Sequence, residues 1–174
     1  SFGDERIILM EHNVDIFAQS MDVSQGWSSQ PDARLQDPKT AEDLSAAKDD
    51  ARLLEMYRYT FPELEMTNRE CGEDENHYRA MAGYSFLMGL RFDMTIYRCC
   101  GSFRDIPAYT AYLRELNALY REHAEYILRG SFVDDEGFAC DNPYVKCKGW
   151  RSARGGLAVT LWNPTGSERR VVLT

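Results

Sequence analysis

The stretch "RIILMEHNVD" sets a carboxylate, Glu11, directly after an apolar, β-prone run, with a second, Asp15, four residues on. A carboxylate at a strand's end is placed to move a proton or to attack an electrophile. If residues 13–16 turn helical the two acids become neighbours, which raises the pKa of one. The competing reading is a helix cap and a surface acid. A second polar group surrounds "MYRYTFPELEMTNRE", where Glu63 and Glu65 lie near Arg58 and Arg69. An arginine there can clamp a carboxylate or a hydroxyl, or simply join a surface ion pair. Trp27 stands in a polar stretch, where an exposed indole is unusual. Its face can stack on the apolar face of a sugar ring, or it can plug a gap beneath the loop.

Other chemistries find little support. His12, His77 and His123 are far apart and form no H-x-x-x-H or H-E-x-x-H pattern. Glu11, His12 and Asp15 show neither a full ligand set nor its outer support, so no metal is expected. There is no glycine-rich phosphate loop and no G-x-S-x-G, and no cofactor is expected. The five cysteines are Cys71, Cys99, Cys100, Cys140 and Cys147. The odd number, the adjacent pair and the lack of C-x-x-C argue against a disulfide framework or zinc ribbon, and point to the reducing cytoplasm. Cys140 and Cys147 flank a short loop and can meet across a hairpin. A net charge of -8 and a pI near 4.9 argue against nucleic acid or an anionic membrane as partner. No signal peptide and no apolar run long enough to span a bilayer is visible.

These residues must be positioned by the elements around them. "ERIILM" reads as a buried strand of a parallel sheet. Residues 24–50 form a long polar excursion, with a helix near its end in "TAEDLSAAKDDARLLEMYRY". "YRYTFPEL" reads as a second strand stopped by Pro62, and "NRECGEDEN" as an acidic loop entering a helix. "HYRAMAGYSFLMGLRFDMTIY" is apolar nearly all round, which predicts a helix buried between layers. The periodicity of 105–129 predicts an amphipathic helix with Tyr112, Leu113, Leu116 and Tyr120 inward. Asp105 is its expected cap, Pro107 stands in its first turn and Gly130 closes it. Beyond Gly130 the composition turns to short β runs, with Trp150 and Trp162 expected in the core of the β layer. Leu157–Trp162 should turn at Asn163-Pro164-Thr165-Gly166 and return as a strand over 167–174.

Strands alternating with helices imply a parallel sheet, and the β-rich end a separate layer. Taken with "ERIILMEHN", "MYRYTFPEL", "YLRELNALYREHAEYILRGSFVDDEGF" and "GGLAVTLWNPTGSERRVVLT", this order resembles the C-terminal stretch of a (β/α)8-barrel glycoside hydrolase. The likeness is nearest to α-galactosidase-like and β-galactosidase-like barrels running into an appended β-domain. It implies an α/β fold, with a partial barrel over residues 1–130 and the start of an all-β domain over 131–174. It further implies glycosidic cleavage by paired carboxylates. Glu11 and Asp15 would be catalytic, Trp27, Arg58 and Glu63 would bind substrate, and the partner would be a carbohydrate. About five or six barrel strands would lie elsewhere. The isolated chain is therefore expected to be inert, and completed by the rest of a longer chain or by a second copy. Two rivals stand beside this: a non-catalytic carbohydrate-binding or structural module, and a redox-sensing domain using Cys99 and Cys100.

Overall fold

A computed structural model describes residues 7–11, 18–25, 54–72, 75–96 and 101–174. Its first sheet has four strands: β1 (Leu9–Glu11), β2 (Val23–Gln25), β3 (Glu65–Gly72) and β4 (Arg91–Ile96). All neighbours are parallel and their order in space is their order in the chain. Parallel strands need long crossovers. Helical residues 54–60 (α1) precede β3, and α2 (Glu75–Leu87) joins β3 to β4. The long amphipathic helix is α3 (Pro107–Glu122), followed by a short α4 (Ala124–Ile127). An antiparallel meander of β5 (Ser131–Asp134), β6 (Lys146–Arg151) and β7 (Leu157–Trp162) forms the second sheet. No helix among the described residues is long and apolar enough to cross a membrane.

The expectation of a helix buried between layers holds for α2. Met81, Ala82, Tyr84 and Leu87 are all buried. The helix packs on β3 and β4 on one side and on β6 and β7 on the other. Two glycines let the second sheet approach. A methyl group on Gly83 would strike the Trp162 ring, and one on Gly89 the Trp150 ring. Trp150 is fully buried and donates from Nε1 to Thr160 Oγ1 at 3.0 Å, and that hydroxyl lies 3.0 Å from the Leu87 carbonyl. One apolar cluster thus runs from Leu54, Met66 and Leu90 through Tyr120 and Ile127 to Phe132, Trp150 and Trp162.

The apolar run beginning at His77 is, however, more than one helix. Gly89 has φ +64, and the amides of Gly89 and Leu90 reach back to the Phe86 and Ser85 carbonyls at 3.1 and 2.8 Å. That is a Schellman stop, which only a residue at ease with positive φ makes cheaply. The chain then reverses into β4. "YRYTFPEL" is likewise not a strand: 54–60 is helical, a turn closes from Phe61 to Leu64, and β3 begins at Glu65. "NRECGEDEN" is correspondingly mostly the end of β3 and the start of α2. "ERIILM" does yield a parallel strand, but Ile7, Ile8 and Leu9 are exposed at the sheet's edge among the described residues.

Helix α3 keeps the expected inward face of Leu113, Leu116 and Tyr120, joined by Tyr109, while Tyr112 is half-buried. Ile106, not Asp105, is the capping position, and Asp105 accepts from the Ser102 amide instead. The expected single helix to Arg129 ends instead at Glu122, so Gly130, three residues beyond α4, is not its cap; crowding requires the glycine there, since an added methyl group would meet the Tyr126 and Arg151 carbonyls. The expected return strand does not form on β7. Asn163 makes the turn through Thr165, but residues 172–174 pair with 139–141.

Candidate functional site

Side chains alternate along a strand, so the parallel sheet has two chemically distinct faces. Met66 and Asn68 of β3 are buried toward the helices, where Asn68 donates to Ser85 Oγ on α2. Phe92 of β4 packs on Tyr120 of α3, with centroids 5.4 Å apart. Glu65 and Thr67 of β3 alternate with these residues, as do Arg91 and Asp93 of β4, and Gln25 of β2 joins them on the opposite face. That face is polar.

Its geometry is specific. Gln25 Nε2 donates to Asp93 Oδ2 at 2.5 Å, spanning β3 between them. Arg91 donates to Glu65 through both Nε and Nη2, each at 2.8 Å. This fork-on-fork pairing fixes both planes. The hydrogen bonds from Glu65 hold the Arg91 guanidinium above its ordinary value, against partial burial that pulls it down. Both side chains remain about two-fifths exposed (39% and 41%), so the pair can be reached from solvent. Between the two pairs, Thr67 Oγ1 is buried without a hydrogen-bond partner among the described residues. A half-open polar face is unusual for a parallel sheet, whose two faces are ordinarily covered.

Glu11 ends β1 as the register partner of Gln25. Asp15 and Trp27 fall outside the described residues. Arg58 belongs to the other side of the sheet. It is buried, donates to the Leu64 carbonyl at 2.6 Å and lies over the Trp150 ring with its guanidinium carbon 5.4 Å from the centroid. Burial lowers its pKa, with Glu65 and then Tyr120 opposing. Glu63 is exposed in the turn before β3. Arg58, from the helix side, still lies close enough to Glu65 and Arg91 for their charges to act on it, whereas nothing among the described residues ties Glu63 to the pair.

Gln25, Arg91 and Asp93 escaped the sequence reading, and Glu65 was grouped with Arg58 and Arg69. The usable signal was local: in "GLRFDMTIY" the pattern Arg-Phe-Asp-Met alternates polar with apolar after a glycine, as a strand does. Among the described residues no group of three or more His, Cys, Asp or Glu side chains is arranged to hold a metal ion.

Comparison with protein families, with curated proteins and with solved structures gives no match for this chain.

Proposed function

We propose that the parallel sheet is a segment of a (β/α)8-barrel and that the protein acts on carbohydrate as a glycoside hydrolase, its catalysis resting on carboxylates. The observation that carries this reading is the strand order. Four parallel strands paired in chain sequence are the arrangement of a singly wound barrel, whereas doubly wound sheets reverse their order at a switch point. On the polar face, Gln25 ends β2, as the residues of barrel active sites end their strands, whereas Glu65 and Arg91 open β3 and β4 at the opposite edge. Glu11 ends β1 and stands in register with Gln25.

In this mechanism Glu11 is the acid/base or the nucleophile. The second carboxylate is Asp15, or Asp93, which Gln25 orients. Glycosidic cleavage needs one carboxyl group to protonate the leaving oxygen and another to attack or to activate water. The bidentate Arg91–Glu65 pair fixes the planes of both side chains beside the proposed site. On this reading residues 131–174, with their antiparallel sheet, are a β unit appended to the barrel.

A second reading, a non-catalytic carbohydrate-binding or structural module, draws on the same bidentate pair. Arg91 and Glu65 satisfy one another and need no ligand. A panel of aryl glycosides offered to the full-length protein separates the two. Turnover of at least one substrate is expected. A silent panel with sugar binding by calorimetry would leave the binding module, and a silent panel without binding would end the carbohydrate reading.

A further inference from the structure

We propose that Cys140 and Cys147 are a reversible redox pair, closed to a disulfide by a low-molecular-weight disulfide, which fastens residues 139–142 and the 170–174 segment they hold to strand β6. The proposal does not use the polar sheet face and stands apart from the function assigned to it.

Cys147 lies in β6 opposite Leu161 of β7, while Trp150 and Thr160, at alternate positions, pack inward. Cys147 is therefore on the sheet's outer face. Cys140 precedes the connection "DNPYV", residues 141–145, into that strand. Asn142 holds the connection in a fixed turn: its side-chain oxygen accepts from the Tyr144 amide at 3.0 Å and its carbonyl from the Val145 amide at 3.2 Å. Both thiols border this one turn, and the neighbouring Cys140 helps to keep the Cys147 thiol protonated. Both are free and both are partly exposed. Each also borders a carbonyl of the same connection, Cys140 Sγ at 3.5 Å from that of Asn142 and Cys147 Sγ at 3.9 Å from that of Val145.

The chemistry has an order. Burial, then the hydrogen bond with Cys140 and its charge, push the Cys147 thiol up to about 12, so Cys147 keeps its proton. Cys140 is the attacking sulfur. Its thiolate breaks the small disulfide, forms a mixed disulfide and releases one small thiol. Cys147 then yields its proton and attacks Cys140 Sγ, which expels the second small thiol. Two protein thiols and one small disulfide become one protein disulfide and two small thiols.

The new bond would act on a particular stretch. Ala139 and Thr174 exchange two backbone hydrogen bonds, at 2.8 and 3.1 Å, and the Asp141 amide donates to the Val172 carbonyl at 3.3 Å. Asp141 Oδ1 accepts from the Val172 amide and Asn142 Nδ2 donates to the Arg170 carbonyl, at 2.8 and 2.9 Å. Residues 170–174 are mostly exposed, so this ladder opens locally at little cost unless its inner strand is fixed.

The test is incubation of the full-length protein with oxidised glutathione, followed by non-reducing peptide mapping and amide hydrogen exchange. A Cys140–Cys147 linked peptide is expected. Exchange at Ala139, Asp141, Val172 and Thr174 should slow by on the order of tenfold, and dithiothreitol should restore it. Cys140→Ser and Cys147→Ser should each abolish both effects, while joint replacement of Cys71, Cys99 and Cys100 by serine should preserve them. The oxidised and reduced wild type are one polypeptide, so a folding defect in a variant leaves the comparison intact. Recovery of Cys140 and Cys147 only as mixed disulfides or in other pairs would overturn the proposal. So would a bridge that leaves exchange at residues 172–174 unchanged.

Discussion

Thr160 is a junction between layers: its hydroxyl accepts from Trp150 and faces the Leu87 carbonyl at the end of α2. Thr160→Val keeps the shape and removes both bonds, leaving a buried indole N–H unpaired. The expected cost is about 1–3 kcal/mol in chemical denaturation. Gly89→Ala should cost about 2–4 kcal/mol, because the residue adopts φ +64 and its new methyl group would press on Trp150. A loss below about 0.5 kcal/mol would show that the ring and the turn both relax freely. The placement of Trp150 and Trp162 in a β core was legible in the sequence, because large aromatics among short β runs have few other places to go. The polar pairs were not. Arg91 and Glu65 are 26 residues apart and Gln25 and Asp93 are 68 apart. Only the register of parallel strands brings them together, and no local pattern encodes that register.

Helix α3 was the most legible element, because sixteen residues of 3.6-fold periodicity leave little ambiguity of phase. Leu116→Ala should cost about 2–5 kcal/mol, since Leu116 is buried with Ala82, Tyr109 and Leu113. Leu119→Ala, on the exposed side, should change stability by no more than about 0.5 kcal/mol. Equal effects would mean that the helix is rotated. Periodicity served less well after His77, where helix and strand are both apolar. An apolar run does not announce where one becomes the other, and Gly89 was the available punctuation. The end of the chain shows a different limit. Asn163 formed its turn, but the choice between β7 and residues 139–141 as partner for 172–174 is a tertiary matter.

At the scale of the whole molecule, Lys148 ties the layers together. From β6 it reaches Glu55 on α1 at 2.6 Å and Asp134 on β5 at 2.5 Å, and little of its side chain is exposed. Burial alone would lower its pKa, but Glu55 and then Asp134 outweigh that and hold it above the ordinary lysine value. A lysine with a raised folded pKa contributes stability that is fully present below its unfolded value, about 10.4, and lost as pH rises through the folded one. The melting temperature should therefore fall as pH rises above about 10. Lys148→Met should lower stability at neutral pH by about 2–3 kcal/mol and flatten that alkaline decline. An unchanged alkaline slope in the variant would show that another group governs it. The same layers present the polar sheet face, and β1, which Glu11 ends, lies beside it; the proposed function makes Glu11 catalytic. The most direct measurement is kcat of Glu11→Gln in the full-length protein on a glycoside it turns over, with the melting temperature of the same sample. A catalytic Glu11 gives a fall of about 10²–10⁴-fold in kcat with a nearly unchanged melting temperature. A variant that keeps more than about a tenth of the parental kcat would contradict it.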